Sequence, residues 1–150
     1  MITKNRTKHG MSNTPFYHVW ANIRIRCNNK KHKEYKNYGG RGITYHPRWE
    51  KFTNFYKDMH QTYKSGLSID RINNSKSYSK SNCRWADYKM QNRNTRKNVI
   101  YKGELAIDAS RRLSGGTHLV NLRLYYGWTK KEAFTRPVGN YKNRNINFKN

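Results

Sequence analysis

Acidic residues are scarce in this chain: eight Asp and Glu stand against 32 Lys and Arg in 150 residues, a formal charge of +24. A domain of this size ordinarily stays within a few charges of neutral, so strong self-repulsion is being tolerated, and a polyanionic partner would relieve it. Lys and Arg that neutralise phosphates release counterions, the main source of non-specific nucleic-acid affinity. Apolar residues are also few, at 34%. No apolar run approaches the roughly 18 residues of a membrane span, and no basic helix with a rich apolar face stands out, which argues against a membrane partner. The N-terminus MITKNRTKHG has no apolar core of the secretory kind, so the expected location is the cytoplasm. Only two cysteines occur, Cys27 and Cys83, with no CxxC pair. No structural zinc is expected, and both read as reduced, partly buried thiols.

Aromatics fill the gap left by aliphatics: 12 Tyr, five Phe and four Trp. Large rings bury much area per residue, so one compact domain with a small appendage is expected. Residues 1–14 read as a basic arm. Phe16, Val19, Trp20, Ile23 and Cys27 fall at helical spacing, with Ser12 or Thr14 placed to cap. A charged loop, 28–37, leads to YGGRGI at Tyr38–Ile43, whose glycines imply a tight turn or a close backbone approach. Trp49, Phe52, Phe55, Tyr56 and Met59 repeat as a second amphipathic helix. GLSIDRI (Gly66–Ile72) alternates as a short strand. A polar loop, NNSKSYSKSN, a second strand, CRWA, and a basic helix, Tyr88 to Asn98, follow.

Asp70 is the carboxylate at the end of that first strand, surrounded by basic residues. On composition alone it reads as a salt-bridge partner. The stretch SIDRINNSKSYSKSNCRWADYKMQNRN, however, resembles the ββα-metal active site of HNH endonucleases. The wider pattern W-x₂-I-x₂-RC, YGGRGI, W-x₂-F, DM, SIDRI and NCRW is similar to short phage and mobile-element HNH proteins over residues 16–98. The resemblance implies an α+β fold: a small ββα-metal nuclease core with flanking helices and a C-terminal helix-turn-helix module. It implies Asp70 as metal ligand, Asn82 as the central Asn that ties the loop together, and Trp85 completing the motif. It implies Gln91 as the helix ligand, with Asn94 a further polar position three residues on and so on one helix face. The cation would be Mg²⁺ or another divalent ion, which tolerates few protein ligands and several waters.

Two departures stand out. Arg71 replaces the family's general-base His; an Arg cannot accept a proton at working pH but can hold the scissile phosphate bidentately. Gln91 stands where Asn is usual. The base must come from elsewhere, with Tyr38 the first candidate and His46 and His60 alternatives. Tyr38 reads equally as a core or stacking tyrosine, and YGGRGI as a plain turn. In the functional reading Arg41 meets a phosphate, as do Lys89, Arg93, Arg96 and Lys97 along the basic helix.

Residues 99–138 look separate and resemble the helix-turn-helix modules that follow nuclease cores in intron homing endonucleases. VIYKG reads as an extended piece, ELAIDASRRL as a supporting helix, and THLVNLRLYY as the recognition helix. Thr129 and Glu132 have capping-box spacing for a third. Leu105, Ala106, Ala109, Leu113, Leu119, Leu122 and Trp128 would form a mini-core, leaving Thr117, His118, Asn121 and Arg123 for base edges. A bland helical hairpin is the alternative. Residues 139–150 read as a basic tail.

The expected function is therefore a site-selective, metal-dependent endonuclease acting on double-stranded DNA. A catalytically inactive DNA binder on the same fold and a basic RNA- or ribosome-associated protein are the alternatives. Monomer and homodimer both stay open: one site nicks one strand, and a two-fold dimer could cut both.

Overall fold

Phe16, Trp20, Ile23 and Cys27 recur every three or four residues, and helix α1 (Pro15–Asn28) buries all four on one face. Thr14 starts it, its hydroxyl accepting from the Tyr17 N–H, with Pro15 at the first helical position. A computed structural model describes residues 10–139; the first nine residues of the expected arm, and residues 140–150 of the expected tail, lie outside the described residues. The fold is mixed α+β, with two small antiparallel two-stranded sheets. It divides into two compact units, one ending at Arg96 and the other beginning at Lys97.

In the first unit α1 packs with α2 (Phe52–Met59), which buries Phe52, Phe55 and Met59. The expected second helix is shorter than its apolar repeat: Trp49 sits in a separate 3₁₀ turn, Pro47–Glu50. Trp49 and Phe55 meet edge to face at 4.9 Å and 88°. Each such buried ring contributes about 1.5–3 kcal/mol, so the rings supply much of a core short of aliphatics. The hairpin of β1 (Ser68–Arg71) and β2 (Cys83–Ala86) follows, paired Ser68 to Ala86 and Asp70 to Arg84. Ile69 packs inward on this core, as does Cys83 from β2. The Trp85 indole packs against the same core and donates to the Met59 carbonyl at 2.8 Å, tying hairpin to helix.

Helix α3 covers Tyr88–Arg93 only, with the Asp87 side chain capping it through the Met90 N–H. The expected helix to Asn98 is thus corrected. Asn92, Asn94 and Thr95 have low helix propensity, and Asn94 ends the helix at φ −98°.

In the second unit the expected start of the supporting helix is also corrected. Ile100–Tyr101 (β3) and Glu104–Leu105 (β4) form a tight hairpin. Its turn is Lys102-Gly103, both at positive φ (47° and 83°), the backbone a two-residue hairpin turn requires. Helices α4 (Ala106–Ser114), α5 (Leu119–Tyr125) and α6 (Lys130–Thr135) enclose Ala106, Ala109, Val120, Ala133 and Phe134. The buried Ser110 hydroxyl donates to Ala106 O and accepts from Val120 N, fixing the start of α5 against α4. Thr129 and Glu132 form a full capping box on α6. Among the described residues no helix is long and apolar enough to cross a membrane.

Candidate functional site

Strand alternation sends neighbouring side chains to opposite faces, so Asp70 and Arg71 leave the end of β1 in different directions. Asp70 points across the hairpin. Its side chain is 10% exposed and pairs with Arg84, directly opposite on β2, whose Nε lies 3.0 Å from Oδ2. From the end of α3, Asn94 Nδ2 donates to both Asp70 oxygens at 3.0 Å and to the Arg71 carbonyl at 2.6 Å. The Asn94 backbone is held too, since Asn74 Nδ2 donates to its carbonyl. The structure thus brings Asp70 and Asn94 together. Gln91 is placed differently: its Nε2 donates to Ala86 O at 3.1 Å, at the end of β2.

The intervening loop is closed by Asn82, 8% exposed. Its Oδ1 accepts from Asn73 N at 2.9 Å, while Nδ2 donates to Asn73 O at 3.2 Å and Ser77 O at 2.9 Å. Backbone bonds from Tyr78 N to Thr44 O and from His46 N to Tyr78 O anchor the loop beside the segment after YGGRGI and seat Tyr78 in the core.

Arg71 points the other way, beneath Tyr78 and Tyr38. Those rings stack at 6.2 Å and 21°. The Arg71 guanidinium lies 5.1 Å from the Tyr38 centroid and 4.8 Å from that of Tyr78, and Arg26 from α1 lies 4.9 and 5.5 Å from the same two. Arg71 is 5% exposed, and its Nη1 is buried with no hydrogen-bond partner among the described residues. Burial raises the Tyr78 hydroxyl far above its ordinary range, with Arg26 and Arg71 opposing the rise. The other base candidates are engaged elsewhere: His46 Nδ1 accepts from Arg48 N, and His60 stacks on Tyr56 at 4.1 Å.

The glycines of YGGRGI serve a close approach. A methyl group at Gly39 would collide with the Cys27 carbonyl oxygen and the Tyr35 ring, which holds this turn hard against the end of α1. Gly42 takes φ 77° and ends the turn. Arg41 is exposed, with Nη1 donating to Asn37 O, and Arg96 reaches Asn37 Oδ1 at 3.2 Å. Lys89 and Arg93 are exposed on α3; Lys97 begins the second unit.

Among the described residues no group of three or more His, Cys, Asp or Glu gathers, so a cation here would depend on Asp70, amide oxygens and water. Asp70 Oδ1 accepts one hydrogen bond and Oδ2 two, leaving an open lone pair on Oδ1. One such carboxylate with water fits the habit of Mg²⁺. Asn94 now presents its NH₂, and offering Oδ1 instead means giving up its bonds to both Asp70 oxygens and to Arg71 O.

In the second unit the expected base-reading set is corrected at one position. Arg123 is 5% exposed and bonds to the carbonyls of Ala133, Arg136 and Pro137, beneath Trp128 at 4.7 Å. It closes the end of α6 and does not face solvent. Leu122, expected in the mini-core, is 52% exposed, and Val120 takes its place. His118 and Asn121 are exposed, and Thr117 is half-buried.

Sequence reasoning missed Arg84, Arg26 and Tyr78. Arg84 was accessible from hairpin register alone, since it lies opposite Asp70. Arg26 and Tyr78 reach the site through tertiary packing, which leaves no local signal. No family model, curated protein or solved structure matches the chain.

Proposed function

We propose that the chain is a DNA-binding, metal-dependent endonuclease built on a ββα-metal core of β1, β2 and α3, with a helix-turn-helix module in its second unit. The observation that carries this reading is the meeting of a nearly buried carboxylate, Asp70, with Asn94 at 3.0 Å on a strongly basic protein. Asp70, with the Asn94 amide turned and Gln91 the further amide within the motif, would hold Mg²⁺ or a similar ion, which when bound would supply charge stabilisation for phosphodiester hydrolysis.

The remaining work falls to the chain's own groups. Arg71, on the face of β1 opposite Asp70, is the candidate donor to a phosphodiester oxygen of the bound strand away from the cation. Tyr38 Oη, as its phenolate, is the candidate acceptor for the proton of the attacking water, becoming the neutral phenol. Asn82 holds the loop between the strands. Arg41, Lys89, Arg93 and Arg96 add phosphate contacts that position without specifying sequence. His118 and Asn121 are the residues of the second unit offered to base edges.

A second reading has an observation of its own. Arg84 already neutralises Asp70 at 3.0 Å, as suits a DNA-binding protein without hydrolysis. Nicking of supercoiled plasmid separates the two. Under the endonuclease reading wild type opens the circle with Mg²⁺ and not with EDTA. Asp70→Ala loses more than about 100-fold, beyond the loss typical of an outer-shell partner. Identical behaviour of wild type and Asp70→Ala across metals and pH leaves the DNA-binding reading alone.

A further inference from the structure

We infer that Arg26, Tyr38, Arg71 and Tyr78 form a site for one phosphate anion, entered by a shift of the half-buried Arg26, with Arg26 as its second cation. The inference rests on the DNA-binding half of the reading above and not on hydrolysis. Arg71 is 5% exposed, and its buried Nη1 has no acceptor among the described residues. Water would have satisfied that N–H, so folding leaves it unpaired, and natural proteins keep few such groups without a reason. The tyrosine faces attract the cation through their quadrupoles, but a ring face is a weak acceptor and leaves Nη1 without a lone pair.

Arg26 sharpens the imbalance. Its guanidinium lies 4.9 and 5.5 Å from the two ring centroids that Arg71 also covers, so two like charges share one aromatic pair. The carboxylate next to Arg71, Asp70, leaves β1 on the other face and is held by Arg84 and Asn94. Arg26 Nε is spent on Asn22 O at 3.2 Å, which leaves its terminal nitrogens to a ligand. An anion placed here relieves the repulsion and supplies the missing acceptor in one step. A phosphodiester of a DNA strand has the chemistry required: one charge spread over two free oxygens, matching the guanidinium fork.

Two measurements in EDTA test the site. The first follows thermal unfolding in inorganic phosphate against sodium chloride at equal ionic strength, for wild type, Arg71→Met and Arg26→Met. A ligand that binds only the native state raises Tm with its concentration. The wild-type rise is expected to exceed that of either variant. Arg71→Met is expected to unfold in chloride no lower than wild type, because an apolar chain of similar volume replaces an uncompensated buried charge. The second titrates a fluorescent DNA duplex. Arg26→Gln is expected to weaken binding about tenfold, the loss of one charged hydrogen bond. It should also lower the slope of log affinity against log salt by about 0.9. Arg26→Lys should keep the slope while losing affinity, since ammonium lacks the fork.

Equal phosphate responses in all three proteins, or an Arg26→Gln duplex affinity and salt slope unchanged from wild type, would reduce the cluster to a structural cation–π stack and overturn the inference. Both readings are metal-free, so a failure of nicking leaves them standing, and the two ideas fail separately.

Discussion

Replacing Asn82 with alanine is expected to destabilise the first unit by about 2–3 kcal/mol. The amide makes three hydrogen bonds to the loop backbone, to Asn73 N, Asn73 O and Ser77 O, from a side chain 8% exposed. Each contributes about 1 kcal/mol net, and groups left unpaired in buried surroundings cost more. Asn73 itself is exposed and Ser77 half-buried, so water recovers part of the loss and holds the sum below its upper range. For a unit of roughly 100 residues, 1 kcal/mol moves Tm by about 4–8 °C, so a fall of about 10–20 °C is expected. Trp20, Trp49 and Trp85 all lie in this unit, and their fluorescence follows its unfolding. Asn82→Asp sharpens the test. Its carboxylate keeps the acceptor for Asn73 N but turns a second oxygen toward two carbonyls. That environment raises the carboxyl pKa in the folded state, so stability is present at low pH and lost as pH rises. At pH 7 the variant should be at least as weak as alanine, and near pH 4, about the ordinary Asp pKa, it should recover. A Tm change under about 3 °C for alanine, with no pH response for aspartate, would refute the claim that this side chain closes the loop.

Gly39→Ala should cost more than about 2 kcal/mol, because the added methyl meets the Cys27 carbonyl oxygen and the Tyr35 ring, whereas Gly40→Ala, with Tyr35 O at 3.2 Å, should cost less than about 1; urea midpoints of the two rank them. Burial pushes the Cys83 thiol up to about 12 from 9.0, against the opposing pull of a backbone hydrogen bond at Ser79 and of Arg71. The unfolded thiol deprotonates first, so between those values the unfolded state binds fewer protons and stability falls as pH rises, by up to about 1.4 kcal/mol per unit from this group. Denaturation at pH 8 and pH 10 should show a shallower fall in Cys83→Ala than in wild type. Arg123→Lys should destabilise the second unit by about 2 kcal/mol, since an ammonium cannot span the three carbonyls the guanidinium serves; Trp128 fluorescence reports it.

What was legible in the sequence was whatever is decided locally. The buried phase of α1, Phe16, Trp20, Ile23 and Cys27, follows from spacing alone, and so does the Thr129–Glu132 cap. The β3–β4 hairpin escaped because strands of two residues carry no period, although Lys102-Gly103 is a turn signal in its own right. The phase of α5 was misread because LVNLRLYY is apolar on more than one side. The small buried Val120 fits under Ser110, and the longer Leu122 is left outside. Arg123 reads as a surface cation because its partners are backbone carbonyls in the last turn of α6 and just past it, invisible to residue type. At the candidate site, Asp70, Asn82 and Asn94 lie on one short continuous stretch, so a sequence pattern can single them out together. Arg26 comes from a helix 44 positions before Asp70 by sequence number, and only packing brings it near Arg71.

The scarcity of carboxylates becomes more informative once each is located. All eight are committed. Glu50 and Asp58 serve Arg24, Arg48 and Trp49; Glu104 and Asp108 serve Arg112 and Arg111. Asp87 and Glu132 cap helices, and Glu34 accepts from Asn37. These seven do structural work that a neutral fold would also need, and none approaches the Arg26–Arg71 pair through an ion pair or hydrogen bond among the described residues. Asp70 differs in position, at the end of a hairpin, with an amide from the next helix on both its oxygens. With 32 Lys and Arg on the chain, further carboxylates beside Arg26 and Arg71 would have stabilised the isolated protein. Under the proposed reading the counter-charge for those two cations would arrive from outside, and a phosphate backbone would deliver it at regular spacing along a strand. On that proposal the charge that weakens the free protein would drive its association, so affinity for a duplex is expected to fall steeply with salt while the melting of the ring-packed core is expected to change little.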